Sequence, residues 1–230
     1  MRRGTEEILS GVYLIGGPNV TQADDAAVYL IDFKGELVLI DAGAGGSASQ
    51  LVRNIEMLGL NPALVSHVIL THCHIDHAGA AAAVAADTGC AVIAHALDAP
   101  ALEKGDRRRS AASWYGTSLA PVAVTRTVRG SGETMELPLG ALHLVHAPGH
   151  TPGSLVAWID LDEPRGRTRL LFGQDVHGPL HNDFGSNHED WQRSLRALLT
   201  LEADVLCEGH YGVIRGRNEV RRFIEQFVED

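Results

Sequence analysis

The chain has 230 residues, 45% apolar and 21% charged, the balance of a globular protein that can bury a core without disulfides. Its formal net charge of −10 argues against a nucleic-acid partner, which calls for a basic surface. Cys73, Cys90 and Cys207 are an odd set without CxxC spacing, so a reducing compartment is expected rather than a disulfide framework.

The amino terminus, Met1-Arg2-Arg3-Gly4-Thr5-Glu6-Glu7-Ile8, opens on two arginines but runs into acidic residues, not an apolar core. Together with the lack of any apolar run of about eighteen residues, this leads to a cytoplasmic expectation without a membrane contact. Residues 1–230 read as one domain. Strands are predicted over Ile8–Ile15, Ala27–Phe33 and Leu37–Ile40, separated by the turn signals Gly16-Gly17-Pro18 and Lys34-Gly35. Helical spacing of Leu51, Ile55 and Leu58 predicts a helix over Ser49–Leu60, stopped by Asn61-Pro62. A strand at Val65–Leu70 leads into Thr71-His72-Cys73-His74-Ile75-Asp76-His77, and a helix follows over Ala78–Asp87. Next come a strand at Ala91–His95 and a short helix at Asp98–Lys104.

Residues 105–120 have no clear period and hold Trp114 and Tyr115; they read either as a lid or as a long surface connection. Arg107-Arg108-Arg109 is the one basic run, read as a solvated loop or as a contact to an anionic substrate. The second half returns to strands at Val122–Val128, Ala141–His146, Leu155–Asp160 and Arg169–Phe172. A helix over Asp190–Leu199, a strand at Val205–Cys207 and a closing helix over Glu219–Val228 complete the chain. This order suits two sheets packed face to face with helices outside.

The His-x-His-x-Asp-His run places three imidazoles and a carboxylate at the end of one strand, and these are metal-binding groups. Three more such residues follow predicted strands or stand in glycine-rich turns: His150, Asp175 and His210. Seven side chains exceed what one tetrahedral ion takes and suit two ions with a shared carboxylate. His72 and His74 alternate on an extended segment and can serve one ion, with Asp76 and His77 serving the other. Alternation turns Cys73 away, and it reads, like Cys207, as packing.

This set resembles the metallo-β-lactamase superfamily. The likeness runs from about Gly11 to Gly212 and includes Leu39-Ile40-Asp41-Ala42-Gly43. It implies an α+β fold, the four-layer αββα sandwich. It implies one metal at His72, His74 and His150, a second at Asp76, His77 and His210, and Asp175 bridging. Asp41 would orient the first cluster without binding metal. The implied cofactors are two divalent ions, Zn2+ first and Fe2+ or Mn2+ as alternatives.

The resemblance implies a metal-dependent hydrolase that attacks a thioester, lactone or related carboxylic ester with a bridging hydroxide. Asp76 would hold the hydroxide and pass on a proton, and Tyr211 would donate a hydrogen bond to substrate. True β-lactamases of the superfamily lack an aspartate at the bridging position, so β-lactam hydrolysis is not expected. Trp114, Tyr115, His177, His181 and Asn182 are further pocket candidates, each equally readable as loop packing. The competing reading is a persulfide dioxygenase-like oxidoreductase with one non-haem iron at His72, His150 and Asp175. A non-catalytic metal-binding module would predict damaged ligand positions, and none is damaged. The expected partner is a small-molecule substrate; a homo-oligomer is compatible with the sequence.

Overall fold

A computed structural model describes residues 4–138, 140–164 and 166–229. Met1-Arg2-Arg3, the two-arginine opening weighed as a leader, lies outside the described residues. Among the described residues, seven strands form one sheet in simple chain order: β1 (Glu6–Leu9), β2 (Val12–Gly16), β3 (Val28–Asp32), β4 (Leu37–Ile40), β5 (Val65–Ile69), β6 (Ala91–His95) and β7 (Arg126–Val128). Pairing is antiparallel from β1 to β4 and parallel from β4 to β7. The second sheet holds β8 (Gly132–Leu137), β9 (Gly140–His146), β10 (Leu155–Glu163), β11 (Gly166–Gln174), β12 (Val205–Glu208) and β13 (Gly212–Arg215), with β11 and β12 parallel. The helices are α1 (Ala48–Met57), α2 (Ile75–Ala78), α3 (Ala81–Thr88), α4 (Ala99–Lys104), α5 (His188–Leu199) and α6 (Arg217–Glu225).

Strand alternation explains the layering. Along β3 and β4, Tyr29, Ile31, Val38 and Ile40 point between the sheets, where they meet Leu142, Leu144, Leu170 and Phe172. Their neighbours Val28, Leu30, Leu37 and Leu39 point outward onto Leu51 and Ile55 of α1 and Val84 of α3. On the far side, Val156, Leu171 and Leu206 meet Leu195 and Leu198 of α5 and Val220 and Ile224 of α6. Three apolar layers separate four layers of secondary structure, the αββα sandwich. Both faces of β3 and β4 are covered, so these strands read as continuous apolar runs. No helix among the described residues is long and apolar enough to cross a membrane.

Several elements differ from the sequence reading. The strand expected over Ile8–Ile15 is two strands, because Gly11 turns the chain at φ 75°. The helix expected from Ala78 starts at Ala81; Ile75–Ala78 forms a turn of its own that carries Asp76 and His77. Only Arg126–Val128 of the strand expected over Val122–Val128 is extended, and the Thr125 hydroxyl accepts the Val92 N–H just before it. The edge strands β8 and β13 went unread, since Met135 alone is buried in β8 and nothing is in β13.

The sheets join at one end. Leu155 N–H donates to Thr71 O at 2.7 Å, Ala27 N–H to Gly209 O at 2.8 Å, and the Tyr29 hydroxyl to Glu208 O at 2.8 Å. The loops that leave β4, β5, β9, β11 and β12 all emerge here. They carry Asp41, His72 to His77, His150, Asp175 and His210.

Candidate metal centre

The seven predicted side chains converge in two groups. His72, His74, His150 and Asp175 offer ligand-type atoms that all lie within 4.8 Å of one another, and Asp76, His77 and His210 do the same. Asp175 stands between the groups. Its Oδ2 lies 3.3 Å from His150 Nε2 and 3.8 Å from His72 Nε2. Its Oδ1 lies 3.1 Å from His77 Nε2 and 3.3 Å from His210 Nε2. Asp76 Oδ2 faces the same pair, at 3.7 Å from His77 Nε2 and 3.4 Å from His210 Nε2. All seven are buried except His210, whose side chain is 33% exposed.

The surrounding polar groups set which nitrogen faces inward. His77 Nδ1 sits 2.6 Å from Asp41 Oδ2 and donates to it, which leaves Nε2 as a lone pair in the neutral ring. His150 Nδ1 donates to Pro179 O at 2.7 Å, with the same result. The Thr71 hydroxyl donates to Asp41 Oδ2 at 2.8 Å, so it can accept from His72 Nδ1 at 3.1 Å. His72 Nε2 and Asp175 Oδ1 are then buried with no hydrogen-bond partner. His150 Nε2 meets His74 Nδ1 at 3.0 Å, and His77 Nε2 meets His210 Nε2 at 3.4 Å. Electron pairs aimed at one another need a proton or a cation between them. The donor set, imidazole nitrogen with carboxylate oxygen, fits divalent ions of the Zn2+ type.

Residues 22–210 match the family model described as the metallo-beta-lactamase superfamily. The chain belongs to this superfamily. A probable metallo-hydrolase of Bacillus subtilis (strain 168), YflN, is 27% identical over 84% of this chain and 83% of the relative. A hydroxyacylglutathione hydrolase of Methylococcus capsulatus is 29% identical over 82% of this chain and 63% of its own length. Among solved structures, a B3 metallo-beta-lactamase with an active-site glutamic acid superposes with a TM-score of 0.82, at 24% identity, over 97% of this chain and 86% of that one. BJP-1, a subclass B3 enzyme of Bradyrhizobium japonicum, gives 0.79 at 21% identity over 97% and 90%. At those identities the structural likeness bears on the fold. Family and cluster together make this a protein of the metallo-hydrolase type whose His/Asp centre implies divalent ions.

Protons are unevenly spread over this superfamily centre. Burial holds His72 and His74 well below the ordinary imidazole value. Burial also opposes charge on His77 and His210, yet the neighbouring carboxylates, Asp175 foremost, hold both above it. Burial raises Asp76. Burial works against ionised Asp175 too, but the imidazoles around it hold it well below the carboxylate range. A cation arriving at His77 and His210 is therefore expected to compete with protons. Apparent Zn2+ affinity is expected to climb with pH, by about tenfold per unit for each proton displaced, until the raised values are passed. Competition with a chromogenic chelator from about pH 6 to pH 8 checks this across the range where imidazole titrates. A flat profile would show that neither histidine carries a proton before the ion arrives.

The remaining predicted residues divide. Tyr211 stands at the rim, 62% exposed, its ring 5.1 Å from His177 and 5.4 Å from Phe223. His177 Nδ1 lies 2.6 Å from the buried Glu208 carboxylate, the same imidazole–carboxylate pairing as His77 with Asp41. His181 packs edge-on to Trp114 at 4.9 Å, whereas Asn182 lies exposed on a short 3-10 turn. Cys73 and Cys207 are buried, Cys207 in the layer between the sheets. An open groove of about 440 Å3, lined by Pro18, Val20 and Tyr211, reaches His210 from outside.

Sequence reasoning missed several supporting residues. Gln174, at φ 40°, donates its side-chain amide to Asp41 Oδ2. Asp98, fully buried, accepts from Cys73 N–H at 3.1 Å, the Thr151 hydroxyl at 2.6 Å and Gly153 N–H at 2.9 Å. It thereby clasps the loop of His72 and His74 to the loop of His150. Asp98 carried only a helix-start signal, and nothing local marked its partners. Gly149, at φ 140°, lies where an added Cβ would come 2.3 Å from Trp191 Cα, which is backbone and cannot give way. Gly149→Ala is expected to cost about 1–3 kcal/mol in chemical denaturation by forcing the His150 loop off α5. Wild-type stability would show that the loop has room to shift.

Proposed function

We propose that this protein is a hydrolase of thioesters, lactones or related carboxylic esters, working with two divalent ions, Zn2+ first. The observation that carries the reading is the division of Asp175, one oxygen toward His72 and His150 and the other toward His77 and His210. A shared carboxylate between two sets of lone pairs suits a pair of ions. Such a pair, when bound, supplies Lewis acidity and brings the pKa of water from about 15.7 toward 7. Asp76, raised by burial and flanked by His77 and His210, is suited to take up a proton at Oδ2 and return it. Tyr211 at the rim would donate to the departing group. Burial of six of the seven groups keeps bulk water from competing.

Asp175 at the shared position speaks against β-lactams as substrates. A single-iron dioxygenase would use His72, His150 and Asp175 and leave Asp76, His77 and His210 idle. Three buried or half-buried titratable groups aimed at one point are costly to keep without a task. The hydroxyacylglutathione hydrolase relatives favour a thioester within this range. The net charge of −10 favours a small-molecule substrate over nucleic acid.

The test joins elemental analysis to a panel of thioester, lactone, phosphodiester and β-lactam probes. Two ions per chain with turnover of a carboxylic ester or thioester is expected. One iron per chain with oxygen uptake on a persulfide would overturn the proposal.

A further inference from the structure

The first ligand group is backed by α5, and the start of that helix grips the His150 loop through three carbonyls in succession. The Ser194 hydroxyl donates to Pro148 O at 2.7 Å, Asn187 N–H to Gly149 O at 2.9 Å and the Ser186 hydroxyl to His150 O at 2.6 Å. Gly149 lies against the Trp191 backbone with no room for a side chain. The same stretch of helix reaches the other loop. Trp191 Nε1–H donates to Val176 O at 3.1 Å, the carbonyl of the residue after Asp175. Val176 is buried, which makes a lost donor there costly.

Asn187, Trp191 and Ser194 are spaced four and three apart, so one side of α5 serves both loops. Farther along, Leu195 and Leu198 seat the helix on Val156, Leu171 and Leu206 of the second sheet. On its flank, the Gln192 amide donates to Phe227 O at 2.8 Å. The helix is thus firmly mounted, yet a cavity of about 30 Å3 separates it from the ligands, lined by His72, His150, Asp175, Trp191 and Ser194 among others. The ligand loops do not rest on a close-packed floor there. Hydrogen bonds, more than side-chain contact, set how far His150 stands from Asp175.

We propose that Trp191 and Ser194 are positioning residues of the metal centre. In this role α5 is a bracket that fixes the separation of His150 and Asp175, whose Nε2 and Oδ2 stand 3.3 Å apart. Trp191 holds the Asp175 loop and Ser194 the His150 loop, both through carbonyls beside the ligands. A release at either end frees the same distance. The bracket needs the divalent-ion centre but not the hydrolase reading.

Stepwise Zn2+ affinities from chelator competition test this. Trp191→Phe, which keeps an aromatic ring and loses the donor, and Ser194→Ala are each expected to weaken one step by about tenfold. That step is the one that His150→Ala abolishes. The double variant is expected to lose little more than either single variant, because a distance already freed cannot be freed again. The visible bands of the Co2+-loaded protein, which report ligand geometry, should shift in both single variants. Gln192→Ala loosens α5 from Phe227 without touching either loop. It is expected to lower the denaturation midpoint of the metal-free protein and to leave both affinities and the Co2+ bands unchanged. Wild-type affinity in either Trp191→Phe or Ser194→Ala, or losses that multiply in the double variant, would overturn the bracket. An equal loss of affinity in Gln192→Ala would overturn it too, since α5 would then act through stability alone. A wild-type protein that takes up no Zn2+ would sink the two-ion reading and the bracket with it.

Discussion

Asp175→Ala is expected to strip the centre of metal and lower kcat/KM by about a thousandfold or more, equivalent to about 4 kcal/mol of barrier. The Asp175 carboxylate faces both ligand groups, at 3.1 and 3.3 Å through Oδ1 and at 3.3 and 3.8 Å through Oδ2. The loss also touches the metal-free fold. Burial opposes charge on His77 and Asp175 is the foremost carboxylate that offsets it, so in the variant His77 keeps only Asp41 at 2.6 Å and Asp76 at 3.7 Å and its raised value is expected to fall. His150→Ala should empty the first group in the same way, since its ring closes the set with His74 at 3.0 Å. Elemental analysis beside turnover on one preparation checks both variants, with circular dichroism to report the fold. Full occupancy at wild-type turnover in either would break the site assignment.

Asp41→Asn is expected to weaken metal binding by about 10–100-fold, although Asp41 touches no ion position. Its carboxylate gathers Thr71 N–H and the Thr71 hydroxyl at 2.8 Å each, His77 Nδ1 at 2.6 Å and the Gln174 amide. All of these donate. An amide turns one of the two acceptor oxygens into a donor, so it breaks either the Thr71 N–H bond at Oδ1, which places the His72 loop, or the bonds at Oδ2 that orient His72 and His77. Asp41 also sits at φ 62°, a conformation that asparagine tolerates, so the backbone alone should not unfold the variant. Chelator competition measures the affinity, and chemical denaturation separates it from stability. Unchanged affinity would mean that the imidazoles are held by packing instead.

The outline of this architecture was legible where residues act locally. β3 and β4 betray their double burial as unbroken apolar runs, and the turn glycines around His150 announce a tight loop. Edge strands escaped because burial is what writes a pattern into sequence, and β8 buries Met135 alone. The ligands were legible as residue types at strand ends. Their supports were not: Thr71 acts on His72 through a hydroxyl shared with Asp41, thirty positions away in sequence, and Asp98 acts through backbone N–H groups that any residue could supply. Pro179 contributes a carbonyl, which has no residue signature at all. Residues 105–118, with Trp114 and Tyr115 exposed on them, are likewise anchored through main chain: Ile75 N–H donates to Ser110 O at 2.8 Å, and the Cys73 thiol faces Arg109 O at 3.4 Å.

Each ligand group draws from both sheets. His72 and His74 leave β5 while His150 and Asp175 come from the second sheet, and Asp76 and His77 are completed by His210 after β12. Half a sandwich therefore owns half a pincer at each position and can grip nothing firmly. A cation held in either group would rivet the two layers together across the open end, so that chemistry and architecture would mature together. A chain with its layers out of register is expected to stay silent toward substrate until His210, after β12, completes the second group.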